Sequence, residues 1–171
     1  CESYDGVGRA IITPLAYGPC TVKALIISSE GTAPPDSLIE KIQEEMDPGS
    51  EGEGMGKVLL GCKFYAVAAG QEMVNISFDV VIASGYSLES TKETVRQELI
   101  RYMKSIALDT PDEENMVSQY MKVIGILANT AGIKDLANLT LNGLAENVII
   151  GADNVPVLGE LTMNEAAVLN G

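Results

Sequence analysis

Residues 121–163 read MKVIGILANTAGIKDLANLTLNGLAENVIIGADNVPVLGELTM, and the fold class turns on this stretch. Val123, Ile124, Leu127 and Ala128 fall at i, i+1, i+4 and i+5, one stripe of an α-helix. Gly132 stands where a helix end needs a residue that tolerates positive φ, and apolar Ile133 follows it. Leu136, Leu139 and Leu141 then lead into Asn142-Gly143, a turn dipeptide. Val148-Ile149-Ile150 has the pattern of a compact buried strand, and residues 152–154 that of a turn. Val155, Val157, Leu161 and Met163 give a last strand, mostly alternating and broken at Pro156 and Gly159. The expectation is one helix followed by three short strands. No side chain in the stretch takes up a proton near neutral pH or holds a metal by itself.

Working outward, the same grammar repeats. Residues 8–13 and 21–28 are β-rich runs joined by a turn-rich connector at 14–19. A helix opens after Pro34-Pro35, with Asp36 or Ser37 able to cap it. Its apolar stripe is Leu38, Ile39, Ile42 and Met46, and Pro48-Gly49 ends it. Residues 58–68 and 73–84 are strand-like, joined at 69–72. In the second of these, Val74, Ile76, Phe78, Val80 and Ile82 alternate with their neighbours, as in a half-buried strand. The spacing predicts a long helix over 88–107, capped either by Ser87 or by a Ser90–Glu93 box. An acidic linker at 109–115 leads to the helix expected over 117–130. The predicted fold is α+β: two small α/β-sandwich subdomains with short mixed or antiparallel sheets. They span 1–70 (ββαβ) and 71–171 (βααβββ). The start at Cys1 without a methionine reads as a fragment, so the first subdomain is expected to be incomplete at its N-terminus.

The totals exclude several function classes. At 171 residues and 46% apolar, the chain can bury a core. With no tryptophan and two phenylalanines, that core is aliphatic. A net charge of −13 repels phosphate backbones, which argues against nucleic acid as a partner. No apolar run approaches bilayer-spanning length, so no membrane partner is expected. Cys1, Cys20 and Cys62 lack metal spacing and read as free thiols, with Cys62 inert in a strand.

Catalytic chemistry is missing. There is no histidine, which removes the usual general base and zinc ligand. The glycine-rich segment 49–56, GSEGEGMG, carries Glu51 and Glu53, lacks a Gly-Lys-Ser/Thr ending and follows a helix. It reads as a mobile surface loop, not a phosphate cradle. No catalytic residue, cofactor site or metal site is predicted.

The ordered landmarks resemble the C-terminal part of the phage baseplate J family, the Mu-like and PBSX-like tail proteins. They are PLAYGPCTVKALIIS, the helix ending Met46-Asp47-Pro48, the loop GEGMG, the strand NISFDVVIASGYS and the block TAGIKDLANLTLNGLAENVIIGADNVPVLGELT. Within the last block, Ile133, Asp135, 139–143, 147–150 and 155–159 carry the likeness. Cys20 stands where the family pattern has glycine, and GMGKVLLGC departs from it as well. The resemblance implies a non-enzymatic structural subunit of a contractile-tail baseplate, the wedge component joining the tail hub to the outer baseplate and sheath. It further implies other baseplate subunits as partners, a ring-forming homo-oligomer, and a place in the virion tail after assembly in the host cytoplasm. The other readings are a bacterial binding or adaptor module unrelated to tails, and an enzyme with a carboxylate site. A ring subunit needs at least two contact surfaces. The candidates are loop 49–56, with Glu51, Glu53 and Met55, and the run 142–161, with Asn142 and Val157.

Overall fold

The computed structural model describes residues 1–111 and 115–167. Asp112, Glu113 and Glu114, the middle of the acidic linker, lie outside the described residues. The fold is α+β, with small mixed and antiparallel sheets. It divides into two compact units. One is Cys1–Gln71 joined by Asp153–Val155; the other is Glu72–Ala152 together with the strand residues from Pro156 on.

In the first unit, β1 (Val7–Pro14) pairs antiparallel with β2 (Thr21–Ser28). After β2 the chain forms α1 (Asp36–Met46) and a 3-10 turn (Pro48–Ser50), then returns as β3 (Lys63–Ala68), parallel to β2. Ala24, Ile26 and Phe64 of the sheet pack with Ile42 of α1, and Leu38, Ile39 and Met46 close round them. The α1 stripe is therefore as its spacing predicts. Leu25 and Ile27, which point to the other face of β2, are buried too. A β-rich apolar run buried on both faces is what TVKALIIS encodes.

β3 lies at a sheet edge, and two side chains close that edge. The Gln43 amide donates to Phe64 O at 2.9 Å and accepts Ala66 N–H at 2.8 Å. Asp47, itself buried, accepts Phe64 N–H at 2.9 Å. These groups take the place of a fourth strand, so the backbone donors and acceptor are satisfied without exposing an edge to other chains.

In the second unit, β4 (Gly70–Ile82) is the middle strand, between β6 (Ile133–Leu141) and β8 (Asn154–Glu165). Val74, Ile76, Phe78 and Val80 are buried, while Asn75, Ser77, Asp79 and Val81 are less so, the alternation expected of this strand. α2 (Leu88–Asp109) buries Val95, Leu99, Met103 and Ile106. Its N-terminus carries a capping box in which Ser87 and Ser90 serve each other's backbone N–H. Ser87→Ala is expected to lower stability by about 1 kcal/mol in denaturant unfolding. Between α2 and β6 come the short β5 (Val117–Ser118) and α3 (Tyr120–Asn129). β7 (Val148–Ile149) pairs with β5.

Several expectations need correction. Residues 117–118 are strand, not helix, and α3 begins at Tyr120. Of its expected stripe, Val123 and Leu127 are buried, whereas Ala128 is exposed. Neither Asp36 nor Ser37 caps α1; Pro35 holds the N-cap position with no side-chain bond. Residues 58–62 are not strand, since Gly61 at positive φ interrupts the run, so Cys62 stands just before β3. The connector at 69–72 is largely strand, because β4 starts at Gly70. β7 is not a compact buried strand: Ile149 is 67% exposed and only Ile150 is buried. β8 runs unbroken through Pro156 and Gly159. Proline is tolerated there because β8 is an edge strand. Glycine at 159 leaves room for the Asn75 amide, whose Oδ1 accepts Glu160 N–H at 2.8 Å.

The uneven spacing of Leu136, Leu139 and Leu141 also has a cause. A bulge opposite 77–79 places Asn138 at φ 53°, and its amide donates to Asp79 at 2.7 Å. The Asn142-Gly143 turn forms as read. Both residues have positive φ, and Leu141 and Leu144 exchange two backbone hydrogen bonds across it.

Candidate assembly surfaces

The loop after α1 is held at its base. Asp47 Oδ1 accepts Gly52 N–H at 3.1 Å while Oδ2 holds β3, so one buried carboxylate ties the loop to the sheet. Lys57 and Val58 donate their N–H groups to the carbonyls of Glu45 and Met46 at the end of α1. Gly56 lies so close to the Met46 carbonyl that any Cβ would collide with it. Gly61 N–H reaches Gly52 O at 2.8 Å. The segment 49–56 is thus part of a longer turn that extends to residue 62, with backbone hydrogen bonds at Gly52, Lys57, Val58 and Gly61.

Lys57 also closes a surface strap. Its Nζ sits 2.6 Å from Glu45 and 3.0 Å from the Tyr4 hydroxyl, which itself donates to Glu45. The bond from Lys57, then that from Tyr4, holds the Glu45 carboxyl below its usual range. The bond to Glu45 raises Lys57. A lowered carboxyl stabilises the fold above its unfolded pKa, and this support fades as pH falls through the folded value.

What the pinned loop presents is apolar and acidic. Glu51 and Glu53 are exposed, Met55 is 78% exposed, and Leu59 and Leu60 are 80% and 78% exposed. Sequence reading missed the two leucines because they lay inside the supposed strand 58–68; Gly61 was the signal that the strand had not yet begun. Asn142 and Val157 belong to the second unit. Asn142 works internally: Oδ1 accepts Asn75 N–H and its own N–H donates to Asn75 O, both at 2.8 Å. Val157 is half-buried. The hairpin tip does expose Leu144.

The second unit has a further surface feature. α2 and α3 leave a groove of about 910 Å3, lined among others by Glu98 and Tyr102 on α2 and by Met121, Gly125 and Ile126 on α3. Met121 is 72% exposed. Tyr102 bridges the helices by accepting Gln119 N–H at 2.9 Å, and burial raises its hydroxyl pKa above the ordinary value.

Among the described residues, no three His, Cys, Asp or Glu side chains stand together as metal ligands. The three cysteines are unpaired with one another, although Cys20 O accepts Lys63 N–H beside Cys62. No helix among the described residues is long and apolar enough to cross a membrane.

Comparison with known proteins gives the class. Residues 1–68 match the baseplate J-like central domain, and residues 74–164 match the baseplate J-like protein C-terminal domain. These are phage-tail baseplate domains, and the chain belongs to the baseplate J-like family. Over 164 residues it is 29% identical to YqbT and 27% identical to the phage-like element PBSX protein XkdT, both of Bacillus subtilis (strain 168). Each alignment takes in 96% of this chain but 45% of the relative, so the chain spans less than half the length of these curated relatives.

Proposed function

We propose that the chain is the central and C-terminal part of a structural subunit in a phage or prophage contractile-tail baseplate. Its role in this reading is that of the wedge component, joining the tail hub to the outer baseplate and sheath purely by protein–protein assembly. The observation that carries the reading is the pair of baseplate J-like matches, in order, along nearly the whole chain. A relative from a phage-like element and a sequence without histidine support it. The two domains of this proposal are 1–70 and 71–171. Glu51, Glu53 and Met55, with the hairpin tip at Asn142 and the strand round Val157, are its proposed contacts. Other baseplate subunits and further copies of the protein are its partners, in the virion tail after assembly in the host cytoplasm. At −13 the surface is unsuited to nucleic acid. No catalytic step, cofactor or membrane is part of it.

Deleting the gene from an inducible prophage tests the reading. Tail particles should then lack baseplates, and mass spectrometry of wild-type particles should find the protein in the baseplate fraction. Intact, baseplate-bearing tails from the deletion strain would overturn it.

The charge also sets how the 171-residue chain behaves alone. Like-charged copies repel at low salt, so the isolated chain is expected to be a monomer or a weak dimer in dilute solution. Light scattering across salt concentration measures this. A stable, salt-insensitive higher oligomer would show that these residues already hold tight ring contacts.

A further inference from the structure

The loop and the groove are complementary in chemistry. The loop tip offers Met55, Leu59 and Leu60 to solvent beside Glu51 and Glu53. The groove offers Met121 and Ile126 among polar side chains, with exposed Lys122 at its edge and the Glu98–Arg101 ion pair on α2. Its floor is open: a Cβ placed on Gly125 would meet no atom within 4 Å. Charge is divided the same way. α2 and α3 together carry five basic and four acidic side chains, so the excess of −13 lies entirely outside these helices. An acidic, apolar projection therefore meets repulsion over most of another copy, and least over the α2–α3 face. That face is also where a recess with Met121 and Ile126 in its lining stands open.

We infer that the α2–α3 groove receives the loop 51–60 of a second copy of this chain, in a head-to-tail contact. Leu59 and Leu60 enter the groove against Met121 and Ile126, and Glu51 and Glu53 face Lys122, on the side away from the Glu98–Arg101 ion pair. Projection and receptor are different surfaces, so the contact is heterologous. It leaves each copy with one free loop and one free groove, and it closes into a ring or continues as a filament according to the rotation between copies. The inference rests on the homo-oligomer in the proposed function and assigns its surfaces. One loop tip in one groove buries little area, which places the contact among weak, transient interfaces. Weak association of the isolated chain follows, strengthened only when neighbouring parts of an assembly hold copies in place.

A mixing experiment tests this. Leu59→Glu adds a charge to the projection at an exposed site and leaves the groove intact. Gly125→Leu fills the groove floor, where there is space, and leaves the loop intact; leucine also favours helix over glycine. Circular dichroism of each variant first establishes that the fold is kept, and Met121→Glu replaces Gly125→Leu if it is not. Sedimentation equilibrium at 0.15 M salt and up to 1 mM protein is then run on the wild type, each variant alone, and an equimolar mixture. The wild type should form chains of copies. Each variant alone should associate at least tenfold more weakly. The mixture should give dimers and nothing larger, because one intact loop and one intact groove remain between unlike partners. Variants that associate like the wild type, a mixture that stays monomeric, or a wild type monomeric at 1 mM would each overturn the inference. Tail particles are not involved, so a failure here leaves the gene-deletion result standing and separates the two readings.

Discussion

Replacing Phe78 with alanine is expected to lower the unfolding free energy by about 3–5 kcal/mol, the range for truncating a fully buried aromatic. Phe78 lies in the middle of β4, the central strand of the β6-β4-β8 sheet, and is sealed from solvent. Val74, Ile76 and Val80 share its face, and all are buried. Leu99 and Met103 of α2 are buried as well. With only two phenylalanines and no tryptophan in the chain the core is largely aliphatic, and close-packed neighbours cannot all move to refill the ring's volume. Equilibrium denaturation monitored by circular dichroism measures the loss. A change below about 1 kcal/mol would mean that β4 turns its other face inward, a one-residue slip that would put Ser77 and Asp79 in the core.

Asp47→Ala is expected to cost about 2–4 kcal/mol, although the side chain is small and no ion pair is broken. Its two carboxylate oxygens accept backbone N–H groups from Gly52 and Phe64. Alanine leaves both donors without their partner in a buried setting, and each unmet buried donor costs about 1–3 kcal/mol. The loss is local as well as global. The Gly52 bond anchors the loop that carries Glu51, Glu53 and Met55, and the Phe64 bond closes the edge of β3. Hydrogen exchange should therefore quicken first at Gly52 and Phe64, while amides of the β4–β6 ladder keep the protection that the remaining global stability gives. Asp47→Asn is expected to be nearly as damaging. One of its two acceptors becomes an NH2 group, which faces a backbone N–H instead of receiving it. Equal exchange at Gly52 in wild type and both variants would show that the loop does not hang on this residue.

Much of the architecture was legible because its signals are local. The alternation of β4, the two positive-φ residues of the Asn142-Gly143 turn, the apolar stripe of α1 and the serine at the α2 N-cap each depend on residues within a few positions of one another. The errors came where a partner far along the chain decides the outcome. Val148-Ile149 has the composition of a buried strand, but among the described residues it pairs just with the two-residue β5, and Ile149 stays exposed. Pro156 and Gly159 look like breaks until β8 is seen at an edge, with Asn75 set against the glycine. The leucines at 59 and 60 look like core, because an apolar pair reads the same whether it faces inward or is held outward by a pinned loop.

From its sequence alone the chain is determined to be α+β, aliphatic in its core, strongly acidic and without histidine, because composition and short-range periodicity do not depend on how elements meet. Only the tertiary structure decided that Gln43 and Asp47 act as a missing strand for β3, and that loop 51–60 is a braced projection. The same holds for the open recess between α2 and α3, floored by Gly125. Each of these joins groups separated by more than a turn of helix or a hairpin. Such contacts form only when the whole unit closes, and the free energy that selects them, the satisfaction of buried backbone groups and the packing of unlike elements, has no local signature in the chain.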